Sequence, residues 1–454
     1  MVGRSSAVAR LFPRAALSRE VLRLATPVTL GTLTYTLLSV VDTAMLGRLG
    51  AVPLAAAGIA GVLFFAVTFS MAGLSVGVQT LTARRFGEGG DARCGEVLNT
   101  GLALSLALGL PLVLGAPWFG RTLASLASND PQVLDASTTY LHYRFLGTAF
   151  MLINFTARGF YAGIGKTGHQ LYGSILVSAT NILLDYLLIF GRAGFPSLGI
   201  QGAAIASTVA LGVGTLYYVG ILFGATYRGR FAALRRPLFA MRWFRSIVRL
   251  SLPVVAQRIL SNGAWSAFFV IVARIGTIEL AASNVIRSIY HLTIMLGVGL
   301  GTAAAALVGQ NLGSEDADRA ERLAWEAVKL ACWSMAIVGL LFLFVPGWVF
   351  RIYTHDAHVI EVGRLSLRLL GVVQGFAGIA LVLTQALQGA GNTRYVMFVE
   401  FVCVACYLPT VYFLGLHTPL GIVGAWVGEY VYWLLVAAAV AWRFRAGAWK
   451  RIVV

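Results

Sequence analysis

Apolar runs of about 20 residues, separated by short polar gaps, follow one another along almost the whole chain. An α-helix of that length crosses the hydrocarbon core of a bilayer. The expected fold class is therefore an all-α integral membrane protein. We predict twelve transmembrane helices, near residues 21–46, 54–83, 97–117, 138–160, 170–191, 200–224, 247–273, 280–308, 325–346, 360–388, 395–415 and 420–442.

The composition supports a membrane protein over a soluble one. Of 454 residues, 58% are hydrophobic and 12% are charged, whereas roughly a quarter are charged in an ordinary soluble domain. The 35 Lys and Arg exceed the 18 Asp and Glu, but the cations lie in the gaps between apolar runs. The lipid bilayer, and not a nucleic acid, is the partner that this pattern predicts.

The positive charge alternates between gaps and so predicts the orientation of the chain. Every second gap is rich in arginine, for example around Arg84 and Arg228, and both termini match this rich set. Positively charged loops stay in the cytoplasm, so we expect both termini there and the protein in the inner (plasma) membrane. The first apolar run is too long for a cleavable signal and carries Asp42, so it is expected to remain as the first span.

The second half of the chain repeats the first at an offset of 226 residues. Arg23, Leu24 and Pro27 meet Arg249, Leu250 and Pro253, and similar matches continue to the end of each half. Each half then holds six helices, and an even number returns the chain to the same side. We therefore expect two six-helix bundles related by a pseudo-two-fold axis along the membrane normal, as in transporters that rock two bundles around a cavity. The expected parts are a cytoplasmic segment (1–20), a first lobe (21–226), a basic cytoplasmic linker (227–246), a second lobe (247–442) and a cytoplasmic tail (443–454).

The repeat separates residues that serve the shared fold from residues that one half alone keeps. Asp42 falls opposite Phe268, and Asp185 falls opposite Val411, or opposite Tyr407 if a later four-residue gap is applied. An acid at mid-depth costs a few kcal/mol and is tolerated where it faces a cavity or a partner. Both aspartates therefore point to function and not to folding.

The two aspartates share a depth, and oxygen-bearing side chains from three helices converge on them. Helical spacing places Asn181 on the face of Asp185 and Tyr35 on the face of Asp42. The candidate cation-coupling site comprises Asp42, Asn181, Asp185, Ser207, Thr208 and Tyr35. These ligands suit either Na⁺ or a shared proton, and a structural hydrogen-bond network is the alternative.

Other polar residues lie within predicted spans and could line a substrate cavity or cap a neighbouring backbone group. They are Asn154, Gln257, Gln374 and Glu429. Glu400, the other acid within these spans of the second half, is close enough to the cytoplasmic gap to snorkel. Glu429 is deeper, takes roughly the place of Ser207 in the repeat, and is a candidate for a second polar site. Pro27 predicts a bend in the first helix, and its repetition at Pro253 favours a shared structural kink over a moving hinge.

These motifs resemble those of the multidrug and toxic compound extrusion (MATE) transporters. The run from Pro27 through Asp42 to Gly47, Arg48, Leu49 and Gly50 is similar to the opening motif of that family, and Gly389 to Thr393 to its tenth-span motif. Asp42, Asn181, Asp185 and the segment 202–207 resemble the DinF-like branch, in which the matching positions form a cation site. Ser207 here replaces the more usual threonine and keeps a hydroxyl. The seventh span, 251–273, lacks the glutamate of the norfloxacin-exporting and eukaryotic branches, which argues against coupling through the second lobe.

The resulting hypothesis is secondary active efflux of small organic compounds, cationic or amphipathic, by H⁺ or Na⁺ antiport through alternating access. We expect a monomer that is not an enzyme, with no catalytic residue, no cofactor and no metal other than possible Na⁺ at Asp42, Asn181 and Asp185. The rival is a flippase of a lipid-like or lipid-linked substrate, a class usually built with fourteen spans and a cationic cavity, but the chain shows no intramembrane arginine cluster. A channel also remains open, and the sequence names neither the cargo nor the coupling ion.

Overall fold

The computed structural model describes residues 13–126, 130–235 and 237–454, and within these ranges every regular element is helical. The expected all-α fold is confirmed. The helices are α1 (Ala15–Gly47), α2 (Ala51–Ser70), α3 (Gly73–Gly87), α4 (Asp91–Leu114), α5 (Ala116–Ser125), α6 (Pro131–Leu146), α7 (Thr148–Gly163), α8 (Gly168–Phe190), α9 (Gly199–Leu222), α10 (Ala225–Arg230), α11 (Met241–Ile275), α12 (Thr277–Gly313), α13 (Ala317–Phe344), α14 (Pro346–Arg351), α15 (Ala357–Gly389), α16 (Thr393–Leu416) and α17 (Gly421–Arg445), followed by a 3₁₀ turn (Ala448–Arg451).

Within the described ranges, eleven helical segments are long and apolar enough to cross a membrane. The chain is a multi-pass membrane protein. The predicted span 138–160 is not one helix but two, because α6 and α7 meet at Gly147. The predicted span 54–83 is likewise divided by a turn at Met71 and Ala72, between α2 and α3. The matching positions of the second half lie inside the continuous helices α15 and α12.

The chain folds into two compact units. The first unit comprises residues 30–255, and the second comprises residues up to 29 together with 256–454. Both borders fall inside a helix, α1 or α11, and they lie 226 residues apart. The lobes expected from the repeat, 21–226 and 247–442, are continuous in sequence. In the compact units, the start of α1 belongs with the second half of the chain, and the start of α11 belongs with the first half.

The same close contact holds the exchanged segment in each unit. In the first unit, a Cβ added to Gly73 would meet Val255 Cγ2 at 2.8 Å. In the second unit, a Cβ added to Gly299 would overlap Thr29 Oγ1. The two glycines are 226 positions apart, as are the two residues that they contact. The exchange is therefore a repeated feature of the fold.

The hairpin of α8 and α9 brings two of the predicted site segments together. Gly191 ends α8 in the left-handed conformation, with φ at +65°, which glycine adopts without steric cost. After the loop, Gly202 packs so closely that an added Cβ would lie 2.7 Å from the Leu188 carbonyl oxygen. This contact sets the register of α9 against α8.

Candidate cation site

Four of the six predicted ligands lie together in the first unit. Asn181 and Asp185 are one turn apart on α8. The Asn181 Nδ2 donates to Asp185 Oδ2 over 2.8 Å, and Ser207 Oγ on α9 donates to Asn181 Oδ1 over 3.3 Å. Asp185 is 1% exposed. The Asn181 amide thus links the Ser207 hydroxyl on α9 to the Asp185 carboxylate on α8.

The two aspartates form a carboxylate pair. The carboxyl groups of Asp42, on α1, and Asp185 lie within hydrogen-bonding reach of each other. Oδ1 of each residue is buried and accepts no hydrogen bond from the residues that the structure describes. Two ionised carboxylates have no proton to donate to each other. The pair therefore requires a shared proton or a bound cation when it is withdrawn from water.

The sequence analysis missed a cation beside this pair. Arg144, on α6, acts electrostatically on both Asp42 and Asp185. Its guanidinium carbon lies 4.5 Å above the centre of the Phe64 ring. Tyr140, one turn earlier, is also within the electrostatic reach of both carboxylates. A Tyr and an Arg four positions apart inside an apolar run was the available signal, because such residues share a helical face.

The contacts of the other two predicted ligands are with other residues. Thr208 Oγ1 donates to the Tyr143 carbonyl oxygen over 2.7 Å, so its hydroxyl serves the contact between α9 and α6. Tyr35 carries the Arg158 guanidinium over its ring at 5.7 Å. Neither contact involves the aspartates. Helical spacing alone placed Tyr35 on the face of Asp42 but could not fix the direction of its side chain.

The candidate cavity residues occupy different surroundings. Asn154 joins α7 to α9, because its Nδ2 donates to the Leu211 carbonyl oxygen and its Oδ1 accepts from Thr215 Oγ1. Gln374 is fully buried, and its amide nitrogen and oxygen have no hydrogen-bond partner within the described part of the chain. A substrate cavity at these residues stays a prediction.

Two buried glutamates lie in the second unit. Glu400 is 3% exposed and accepts hydrogen bonds from Ser261 at 2.5 Å, Tyr432 at 2.9 Å and Gln257 at 3.3 Å. The expectation that Glu400 snorkels is therefore wrong. Glu429 accepts from Tyr407 and from the indole of Trp433. Pro27 also lies in this unit, within the uninterrupted helix α1, and the bend expected there stays a prediction.

Some arginines within the helices lie against aromatic rings. Besides Arg144, they include Arg158 and Arg287, whose guanidinium carbon is 5.1 Å from the centre of the Phe269 ring. Such contacts contribute about 0.5 to 2 kcal/mol each, more when desolvated. The expected lack of an intramembrane arginine cluster stays a prediction.

One family model matches the chain twice, in agreement with the fold and the repeat. A family model described as MatE matches residues 27–187 and, a second time, residues 253–413. The second match begins and ends 226 residues after the first. The molecule is thus a membrane transporter built from two copies of one helical repeat. It belongs to the MatE family, the multidrug and toxic compound extrusion transporters, as the sequence motifs implied.

Curated relatives match almost the whole chain. A protein of Bradyrhizobium diazoefficiens named "Probable multidrug resistance protein NorM" is 28% identical over 447 residues, which cover 96% of this chain and 94% of that protein. A protein of the same name from Thermotoga maritima is 24% identical over 436 residues, covering 95% and 93%. These relatives carry the name NorM, and the resemblance to the DinF-like branch stays a prediction.

Solved structures share the fold. A MOP superfamily transporter from Pyrococcus furiosus superposes with a TM-score of 0.88 at 22% identity, covering 99% of this chain and 100% of that one. A structure described as MATE in the straight conformation also gives a TM-score of 0.88, at 21% identity with the same coverage. A structure described as MATE in the bent conformation gives 0.84 at 22% identity, covering 95% and 94%. At this identity the likeness shows the fold alone.

Proposed function

We propose that this protein exports small organic compounds in exchange for an inward-moving monovalent cation, with the Asp42–Asp185 pair as the coupling site. The observation that carries the proposal is the pair itself. Each aspartate presents a buried Oδ1 that accepts no hydrogen bond from the described residues. The names of the curated relatives, which refer to multidrug resistance, support efflux of several compounds.

The charges around the pair favour one monovalent cation per cycle. Two ionised carboxylates contribute two negative charges, and Arg144 contributes one positive charge. One negative charge then remains, and a single H⁺ or Na⁺ neutralises it. Like charges about 4 Å apart repel by about 4 kcal/mol at an effective dielectric constant of about 20. Loading and unloading the pair therefore changes the energy of the buried site enough to bias a conformational equilibrium.

The driving force is adequate for efflux without ATP. A monovalent cation that moves inward down about 100 mV releases about 2.3 kcal/mol. This free energy supports about a fifty-fold gradient of a neutral compound. We propose alternating access of the two repeats in the inner membrane, with both termini in the cytoplasm, and cationic or amphipathic cargo. The protein acts as a monomer in this scheme.

Dye transport in proteoliposomes tests this function, with pH and Na⁺ gradients imposed separately. We expect uphill dye accumulation with one of the two gradients and its loss in Asp42→Asn, because an amide cannot bind and release the cation. Asp135→Asn, the same change at an exposed acid on α6, is the matched control and should transport as wild type. Wild-type accumulation by Asp42→Asn would refute the coupling role. Only downhill dye leakage would indicate a channel, and lipid scrambling without dye transport a flippase.

A further inference from the structure

The structure fixes the position of the four-residue gap in the repeat. Gly202 packs on the Leu188 carbonyl oxygen in the first unit, and Gly424 packs on the Leu414 carbonyl oxygen in the second. Leu188 and Leu414 differ by 226, whereas Gly202 and Gly424 differ by 222. The gap therefore lies in the loop between the last two long helices of each half. Up to that loop the offset is 226, so Val411 is the residue opposite Asp185.

The second unit keeps a counterpart of the cation site with different chemistry. Positions 42, 181, 185 and 207 correspond there to Phe268, Tyr407, Val411 and Glu429. The Ser207–Asn181 hydrogen bond has its counterpart in a hydrogen bond from the Tyr407 hydroxyl to Glu429 Oε1 at 2.9 Å. The acid has thus moved from the helix of Asp185 to the last helix of its half.

Glu429 is enclosed by neutral groups. It is 4% exposed, and the Trp433 indole donates to its Oε2 over 3.0 Å. The charged and titratable groups that face it are Tyr407 and Glu400 from α16, Tyr290 from α12 and Tyr432 from its own helix. These neighbours include no cation. A carboxylate at this depth without a counter-charge is costly, so it needs a cation or a proton.

A neighbouring hydroxyl offers an acceptor for that proton. Tyr290 is 2% exposed and lies within the electrostatic reach of Glu429. The Trp433 indole is within hydrogen-bonding reach of the Tyr290 hydroxyl, but it donates to Glu429 Oε2. A protonated Glu429 is a hydrogen-bond donor, and the Tyr290 oxygen can accept from it.

The surroundings select a proton over a larger cation. Phe268 stacks on Tyr407 with ring centres 6.4 Å apart, and Phe268 and Trp426 are fully buried. Aromatic packing of this kind leaves no space for an organic cation. A small metal cation takes about six oxygen ligands, whereas the oxygens here come from one carboxyl and two phenols. We propose that Glu429 is a second proton-binding site, in the half of the protein that lacks the aspartate pair.

The proposal reverses an expectation drawn from the seventh span. The absence of an acid in 251–273 argued against coupling through the second lobe, but the last span supplies one at Glu429. Proton binding by Glu429 stands independently of transport. Its use in the transport cycle rests on the proposed function.

Proton counting on the purified full chain tests binding directly. Above roughly pH 6, exposed carboxylates are already ionised. We expect wild type to release one more proton per molecule than Glu429→Gln when both are titrated upward from this pH. Glu361→Gln, at a side chain that is 75% exposed, is the matched control and should equal wild type. Equal release by wild type and Glu429→Gln would overturn the proposal.

Infrared spectroscopy keeps the test decisive should Glu429→Gln fold poorly. Wild type at neutral pH should show the carbonyl band of a protonated carboxyl, and Tyr290→Phe should shift that band because the acceptor is removed. A band that Tyr290→Phe leaves in place would assign the proton elsewhere.

Transport then separates the two proposals. We expect Glu429→Gln to lose severalfold in dye accumulation driven by a pH gradient. Failure of wild type to accumulate dye under any gradient would refute antiport but leave the proton count standing. Wild-type accumulation by Glu429→Gln, together with equal proton release, would refute the second site and leave antiport intact.

Discussion

The two halves of this transporter share a helical framework and differ in what they bury at matching positions. The first half places Asp42, Asp185 and Asn181 where the second places Phe268, Val411 and Tyr407. The first set forms a carboxylate pair beside a guanidinium, and the second forms an aromatic stack beside a single glutamate. The framework therefore tolerates either chemistry, so folding does not require the acids of either half.

Two helices of the first half are interrupted where the equivalent helices of the second half are continuous. The interruptions lie at Gly147 and at Met71–Ala72, and the equivalent continuous helices are α15 and α12. The interruption at Gly147 lies near Arg144 and next to Thr208, since a Cβ there would meet Thr208 Oγ1 at 2.9 Å. Helix breaks of this kind are often found at functional sites.

The largest effect on efflux should come from replacing Asp185 with valine, the residue at the matching position 411 of the second half. Asp185→Val removes one carboxylate, leaves the single charge of Asp42 within the electrostatic reach of Arg144, and should abolish gradient-driven efflux. Because valine is accepted at the matching position 411, the protein should remain folded and insert normally. An efflux assay measures the loss of transport, and thermal unfolding in detergent measures whether the variant is folded. Efflux at the wild-type level, or loss of folded protein, would break the comparison.

A smaller effect is expected from the exchanged helix segments. Gly73→Ala places a Cβ 2.8 Å from Val255 Cγ2 and 3.0 Å from the Val255 nitrogen, and overpacking of this kind costs about 1 to 3 kcal/mol. Gly263→Ala, in a helix with nothing within 4 Å of the new Cβ, should be neutral or stabilising by up to about 1 kcal/mol. The free energy of unfolding of each variant, compared with wild type, tests this expectation. Equal stability of the two variants would contradict the tight packing of α11 on α3.

The smallest effect concerns a salt bridge that both halves place after their last long helix. Arg230 Nε lies 2.6 Å from Asp91 Oδ2, and Lys450 Nζ lies 3.1 Å from Asp318 Oδ1 and 2.7 Å from Glu321 Oε2. The hydrogen bond to Glu321, with Asp318, raises the pKa of Lys450 above its ordinary value. The stabilisation of the folded state by the Lys450 salt bridge is therefore fully present at neutral pH. It is lost as the pH rises through the raised pKa of Lys450.

Lys450→Gln should accordingly lower stability at neutral pH by less than about 1 kcal/mol, as for other exposed ion pairs. The difference from wild type should vanish at strongly alkaline pH, where wild-type Lys450 is neutral. Melting temperatures across this pH range measure it. A difference that persists when the lysine is deprotonated would mean that the amine contributes through packing and not through charge.

Hydrophobic periodicity, charge alternation and the repeat were sufficient to predict the all-α fold and the two repeats. They also located Asp42, Asn181, Asp185 and Ser207, since helical spacing and depth are set by chain geometry. They could not predict Arg144, because helical spacing within one helix does not show that a side chain of α6 comes near acids on α1 and α8. The contact of Thr208 was not predicted for a related reason: a hydroxyl can bond to a nearby backbone carbonyl, and only the packing of α9 on α6 shows that it does.

The exchanged segments of α1 and α11 bear on how the chain is made. Residues 13–29 leave the ribosome well before the helices against which they pack, which follow residue 256. The first unit is likewise incomplete until residues 241–255 have been synthesised. Neither half can therefore reach its final packing alone during translation, and a gene divided at the basic linker yields two fragments that each lack a piece of their own core.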